Sequence, residues 1–151
     1  MRLLFLCTGN SCRSQMAEGW ARFRSGGKVE AFSAGTRPQG LHPLATRVMR
    51  EAGVDISRQS SKGLEAFVGQ PFDWVITVCD RVSESCPVWP EAKARLHWSF
   101  DDPAAAVGRE EERLAAFRRV RDEIQRQVEL FLDAHAGPLP VPGASLGRSG
   151  P

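Results

Sequence analysis

Apolar and polar positions fall into blocks along this chain, and the period within each block predicts an element. Leu3 to Leu6 is a short continuous apolar run closed by Thr8-Gly9-Asn10, the pattern of a strand buried on both faces. From Ser14 the spacing becomes helical: Met16, Ala17, Trp20, Ala21 and then Phe23 or Arg24 form a stripe that Gly26-Gly27 stops. Lys28 to Ser33 alternates weakly as a second strand, ended by Ala34-Gly35. A helix starts at Pro43, with Leu44, Ala45, Val48, Met49 and Ala52 on one face and Gly53 after its end. Ser60 to Val68 has room for another short helix. Phe72 to Val78 is the strongest strand, rich in aromatic and β-branched residues, and Arg95 to Phe100 is a fourth. Last comes the longest helix. Leu114, Phe117, Val120, Ile124, Val128, Phe131 and Leu132 form its stripe, and Glu110-Glu111-Glu112 sits at the positive end of its dipole.

Strands alternating with helices predict an α/β fold: a single-domain, doubly wound, four-stranded parallel sheet flanked by helices. Such sheets bind ligands beyond the carboxyl ends of their strands. Cys7 onward, Cys79 onward and Asp101-Asp102 are therefore expected near one another.

Composition narrows the function. The 151 residues are 42% hydrophobic and 25% charged, close to the globular average, so a folded domain is expected. It should span residues 1–136, with 137–151 a flexible Gly- and Pro-rich tail. The net charge of +2 argues against nucleic acid as a main partner. No apolar run approaches the roughly 20 residues of a membrane span. The first apolar run is too short for a secretory signal, so a cytoplasmic chain with reduced thiols is expected. Its four cysteines then read as reactive, metal-binding or inert thiols, rather than as a disulfide framework.

Cys7-Thr8-Gly9-Asn10-Ser11-Cys12-Arg13-Ser14 lies between a predicted strand and a predicted helix. A tight loop opening a helix aims successive N–H groups inward and makes an anion cradle at the positive end of the dipole. Gly9 and Asn10 tolerate the left-handed backbone that such a loop needs. The same field favours the Cys7 thiolate, the nucleophilic form. Arg13 can clamp two oxygens of a tetrahedral oxyanion at once. Ser14 can cap the helix or donate to the thiolate. The plain alternative is an inert Cys7 followed by an ordinary strand–helix turn.

The other thiols leave two readings open. Cys79 closes the strongest strand, and Cys86 follows seven residues later. A regular helix would hold their Cα atoms roughly 10 Å apart, beyond the span of about 4.4–6.8 Å for a disulfide. They are either two isolated cysteines or a pair on a segment that bends. Cys79-x6-Cys86 is too wide for the usual zinc spacing, so no metal is expected. His42 beside Pro43 and His97 beside Trp98 are read as structural.

Leu6-Cys7-Thr8-Gly9-Asn10-Ser11-Cys12-Arg13-Ser14-Gln15-Met16-Ala17-Glu18 resembles the phosphate-binding loop of the low-molecular-weight protein tyrosine phosphatase superfamily. Within it, the chain looks most like the arsenate reductases of thioredoxin-coupled type. The likeness continues through Ser33-Ala34-Gly35-Thr36, Val54-Asp55-Ile56-Ser57, Phe72 to Asp80 and His97 to Ala104, covering about residues 2–132.

The resemblance implies a mechanism. Cys7 attacks arsenate held by Arg13 and by the loop of Thr8, Gly9, Asn10, Ser11, Cys12 and Ser14, while Asp102, the aspartate before Pro103, is the general acid. Cys79 then attacks Cys7 and expels arsenite; Cys86 takes over the disulfide and passes it to thioredoxin, with no cofactor. Weak phosphatase activity is expected from the same cradle. Asp101 and Asp102 can each instead cap the following helix. Cys12 matches a second cysteine of the phosphatases, there to form a protective disulfide with Cys7 or to fill space. Superfamily phosphatases usually follow Asp-Pro with tyrosines; this chain has Ala104-Ala105-Ala106 and no tyrosine. The resemblance also implies a potassium site at Asn10, Glu18, Ser33 and an acidic position. Lys62 occupies that position, so its ammonium should replace the cation and remove any potassium requirement. The alternatives are a phosphatase for phosphotyrosine or small phosphomonoesters, and a non-catalytic oxyanion-binding or thiol-redox module.

Overall fold

The computed structural model describes residues 1–80, 89 and 92–137. The remaining residues, among them Cys86 and most of the expected tail, lie outside the described residues. The first apolar run becomes β1 (Arg2–Cys7), and alternate side chains enter opposite faces of the sheet. Leu3, Phe5 and Cys7 join one core, while Leu4 and Leu6 join the other, which is why the sequence shows an unbroken apolar run there. After α1 (Arg13–Arg24) comes β2 (Glu30–Gly35), then α2 (Pro43–Glu51), β3 (Trp74–Thr77), β4 (Ala94–His97) and α3 (Glu110–His135). The four strands are parallel in the order β2-β1-β3-β4. The fold is therefore the expected doubly wound α/β sheet. Chain order reverses beside β1, and the crevice at such a reversal is where ligands bind in this class of sheet.

The three α-helices share one face. Met16, Ala17 and Trp20 of α1, Val48 and Met49 of α2, and the whole expected stripe of α3 pack on the odd-numbered side of β1. Each Val, Leu, Ile, Met or Phe among them, removed from water, stabilises the fold by about 1.5–3 kcal/mol. On α1, Arg24 takes the inward position, its Nε 2.8 Å from Glu129 on α3, while Phe23 points outward. The opposite face is covered by Phe67, Phe72 and Trp89. Glu51, at the end of α2, accepts two hydrogen bonds from Arg118 of α3 at 2.9 and 2.8 Å. Those bonds hold its carboxyl down to about 2. Among the described residues no helix is long and apolar enough to cross a membrane.

Three expected boundaries shift for physical reasons. β2 starts at Glu30 and runs through Ala34-Gly35, which pair with Leu6 and Cys7 instead of ending the strand. Ser60 to Val68 forms only a 3₁₀ turn, Leu64–Phe67. Its first half runs extended because Gly63 pairs with Gly35 in a parallel bridge and Gly35 N–H bonds to the Lys62 carbonyl. β4 stops at His97, after which Trp98 N–H bonds to the Thr77 carbonyl at 2.8 Å and the chain turns away toward Asp102.

Candidate active site

β1 delivers Cys7 and α1 begins at Arg13, so five residues must turn the chain between them. Their carbonyls are bonded on the outside of the turn. Thr8 accepts from Arg37 N–H at 2.9 Å, Gly9 from Gln39 N–H at 3.0 Å, and Ser11 from His42 N–H at 3.0 Å. Asn10 accepts from the Gln15 side chain at 3.0 Å. A planar trans peptide points its C=O and the next N–H in opposite directions. The N–H groups of Gly9, Asn10, Ser11 and Cys12 therefore face the inside of the turn. That of Asn10 reaches Cys7 Sγ at 3.2 Å.

Two residues make this turn possible. Asn10 sits at φ 47°, in the left-handed region that asparagine tolerates. Gly35 lets β2 approach: a Cβ there would lie 2.5 Å from the Thr8 carbonyl oxygen and 2.9 Å from Asn10 N. Both obstacles are backbone, which cannot swing aside.

Beneath the loop, a chain of side chains fixes the polarity at Cys7. Asn10 Oδ1 accepts from Lys62 N–H at 2.7 Å, and a backbone N–H can only donate. Its amide nitrogen must then donate to Ser14 Oγ, at 2.8 Å. The Ser14 proton is left for Cys7 Sγ, 2.8 Å away. Gln15 adds a second donor to Asn10 Oδ1 at 3.0 Å, and Gln59 braces Gln15 at 2.8 Å. Cys7 Sγ thus receives two hydrogen bonds, each stabilising negative charge on sulfur. A hydrogen bond to a charged group contributes about 1.5–3 kcal/mol. Ser14→Ala is accordingly expected to slow alkylation of Cys7 by iodoacetamide by about tenfold, followed by mass spectrometry of the Cys7 peptide.

The concave side opens into a cavity of about 540 Å³. Cys7, Thr8, Gly9, Ser11, Cys12 and Arg13 line it from the loop; Asp102, Ala104, Thr36, Arg37 and Gln39 complete the wall. Asn10 and Ser14 are fully buried: their side chains meet beneath the loop, while the Asn10 N–H points to Cys7 Sγ. The Arg13 side chain is only 5% exposed, with Nη2 3.9 Å from Asp102 Oδ2 and Nη1 donating to the Phe100 carbonyl at 3.2 Å. Asp102 caps the 3₁₀ turn Pro103–Ala105 through Ala104 N–H at 3.0 Å and still faces the cavity. Asp101 turns away and pairs with Arg119 at 3.2 Å.

The other thiols differ in place and character. Burial pushes the Cys12 thiol up to about 12, so it stays protonated. Cys79 is fully buried. It follows Val78, whose N–H bonds to the Leu6 carbonyl at 2.9 Å, and its own Sγ lies 3.9 Å from the same oxygen. It therefore stands beside the strand that ends in Cys7. Cys86 lies outside the described residues.

His42 and His97 hold structure: His42 Nδ1 accepts from Leu44 N–H at 3.1 Å to cap α2, and His97 Nδ1 meets Thr77 Oγ1 at 2.6 Å. Glu18, 3% exposed, accepts from Ser33 Oγ at 2.6 Å and pairs with Arg22 at 2.8 Å. Burial raises its pKa against these contacts. Lys62, lowered by burial and supported by the charge of Glu18, donates its ammonium to the Ser60 carbonyl. Among the described residues no group of three or more His, Cys, Asp and Glu is placed to hold a metal ion.

Thr36, Arg37 and Gln39 are wall residues without a periodic signal in the sequence. The only hint is Gly35 just before them, read there as a strand end.

The comparisons with known proteins agree with this geometry. The family model for low molecular weight phosphotyrosine protein phosphatase matches residues 2–136. The arsenate reductase of Bacillus licheniformis is 50% identical over 131 residues, 87% of this chain and 94% of that protein. An arsenate reductase solved in the phosphate-binding state superposes with a TM-score of 0.76 at 34% identity, covering 88% of this chain and 97% of that one. A thioredoxin-dependent arsenate reductase from Corynebacterium glutamicum superposes with a TM-score of 0.58 at 29% identity, over 86% of this chain and 62% of that one. With the match spanning both the cradle and the sheet that carries it, the chain belongs to the low-molecular-weight phosphotyrosine protein phosphatase family.

Proposed function

We propose that this protein reduces arsenate to arsenite with a cysteine nucleophile and an internal disulfide relay recycled by thioredoxin. The observation that carries the reading is the second thiol at the sheet edge: Cys79 follows β3 and packs against the carbonyl of Leu6, the residue before Cys7. A phosphatase has no use for a thiol there, because water discharges its phosphocysteine. The relatives named arsenate reductase support the same reading.

In the proposed reaction, arsenate enters the cradle, its oxygens facing the inward N–H groups and the Arg13 guanidinium. Cys7 Sγ attacks arsenic, and one oxygen departs as water with a proton from Asp102. The Cys79 thiolate then attacks Cys7 Sγ. The electron pair of the S–As bond passes to arsenic, which leaves as arsenite, two electrons reduced, and a Cys7–Cys79 disulfide forms. Cys86 displaces Cys7 from Cys79, and the resulting disulfide is reduced by the dithiol of thioredoxin. The thioredoxin-dependent relative supports that last donor. No cofactor is needed, since the electrons come from thiols. We place the chemistry in residues 1–136, with 137–151 as a tail outside it, and in the cytoplasm, where thiols stay reduced.

Arsenate-dependent oxidation of NADPH, coupled through thioredoxin and thioredoxin reductase, tests the reading. Oxidation that requires both arsenate and this protein is expected; its absence, with brisk hydrolysis of phosphotyrosine, would give the family's phosphatase reading instead. The Asp102 rim carries Ala104 where an aryl substrate would want an aromatic side chain, which disfavours that alternative.

A further inference from the structure

The cavity is larger than a five-heavy-atom oxyanion requires, and its volume falls in the range of about 300–1,000 Å³ typical of small-molecule sites. Its base carries one cation, the buried Arg13; its mouth carries a second, Arg37. Three observations set Arg37 apart. Its backbone is fixed on the cradle, because its N–H bonds to the Thr8 carbonyl at 2.9 Å and Pro38 restricts it to an extended conformation. Its neighbour Gln39 packs on the same loop, with Oε1 3.2 Å from where a Cβ on Gly9 would sit. Finally, Arg37 is exposed and among the described residues makes no ion pair or side-chain hydrogen bond. The other arginine that lines the cavity is already engaged: Arg13 with the Phe100 carbonyl and Asp102.

We propose that Arg37 is a specificity-determining residue, an outer anion contact at the cavity mouth that captures the tetrahedral oxyanion and hands it to Arg13 and the loop amides. The inference rests on the reading that an oxyanion is the substrate. Asp102, which also lines the cavity and whose side chain is 40% exposed, would otherwise present negative charge to an incoming anion. Arg37 offsets it where screening by salt is strongest. Its contribution belongs to binding and entry, because nothing places its guanidinium at Cys7 Sγ.

Two assays on Arg37→Gln, Arg37→Lys and Arg37→Glu test the proposal. The first compares alkylation of Cys7 by iodoacetate, an anion, with that by the neutral iodoacetamide, read on the Cys7 peptide by mass spectrometry. Arg37→Gln is expected to slow iodoacetate about fivefold while leaving iodoacetamide unchanged, Arg37→Lys to retain the wild-type ratio, and Arg37→Glu to slow iodoacetate further. The second is steady-state arsenate reduction, where Arg37→Gln should raise KM about fivefold at constant kcat, a difference that added salt largely removes. An alkylation ratio equal in wild type and Arg37→Gln overturns the proposal. So does an Arg37→Lys variant that behaves like Arg37→Gln, or a loss confined to kcat. Alkylation needs no turnover, so the expected ratio in a protein that reduces no arsenate supports Arg37 and refutes only the arsenate reading.

Discussion

Cys7→Ser is expected to abolish arsenate reduction and aryl-phosphate hydrolysis together, each by about 10⁴-fold or more. Every step of the proposed chemistry up to the release of arsenite passes through that sulfur. It forms the bond to arsenic, and it is the atom that Cys79 attacks. A serine hydroxyl would still face Ser14 and Asn10 N–H, the two partners of the sulfur. It is far less acidic than a thiol and is not a usable anion near neutral pH. The outward-bonded carbonyls and Arg13 are untouched, so phosphate should still bind within a few-fold of its wild-type affinity. Isothermal titration with phosphate, run beside both activity assays, separates the loss of chemistry from loss of the site. Retained turnover in either assay would remove Cys7 from its role.

Cys79→Ser should divide the two activities. Arsenate turnover falls by about 10³-fold or more, because no second thiol can release arsenite from Cys7 and accept the disulfide. Aryl-phosphate hydrolysis stays close to wild type, since water completes that reaction. The substitution is small in volume: Cys79 is fully buried beside the Leu6 carbonyl, and serine exchanges only its sulfur for oxygen. Cys79→Ala, which brings no new polar group, should show the same division. Equal loss of both activities in both variants would mean that Cys79 holds the fold near Cys7 and does not carry electrons.

The parts of this site that follow secondary-structure period are legible in the sequence. β1, the loop and α1 announce themselves because a two-sided buried run gives way to a helical stripe at Ser14. Cys79 is expected to close the strongest strand and lies two residues beyond β3, which ends at Thr77. Where tertiary contacts override local preference, the sequence misleads. Gly35 looks like a strand terminator, yet it continues β2 because only glycine lets that strand pass the Thr8 carbonyl and Asn10 N. Ser60 to Val68 has room for a short helix, but the path of its first half is set by bonds to Gly35 and Asn10. The side chains of Asn10 and Ser14 turn beneath the loop, where they set the hydrogen bond to Cys7. Thr36, Arg37 and Gln39 leave no pattern at all, because an exposed segment held by its backbone constrains its side chains very little.

The proposed thiol relay begins at Cys7 and passes to Cys79, and trapping it is its most direct test. Cys86→Ser, reduced, freed of reductant and given arsenate, should stop after one turnover. Peptide mapping of the quenched protein should then find a Cys7–Cys79 disulfide, with one arsenite released per chain. Arsenite released without that disulfide, or a disulfide from Cys7 to Cys12 in its place, would contradict the account.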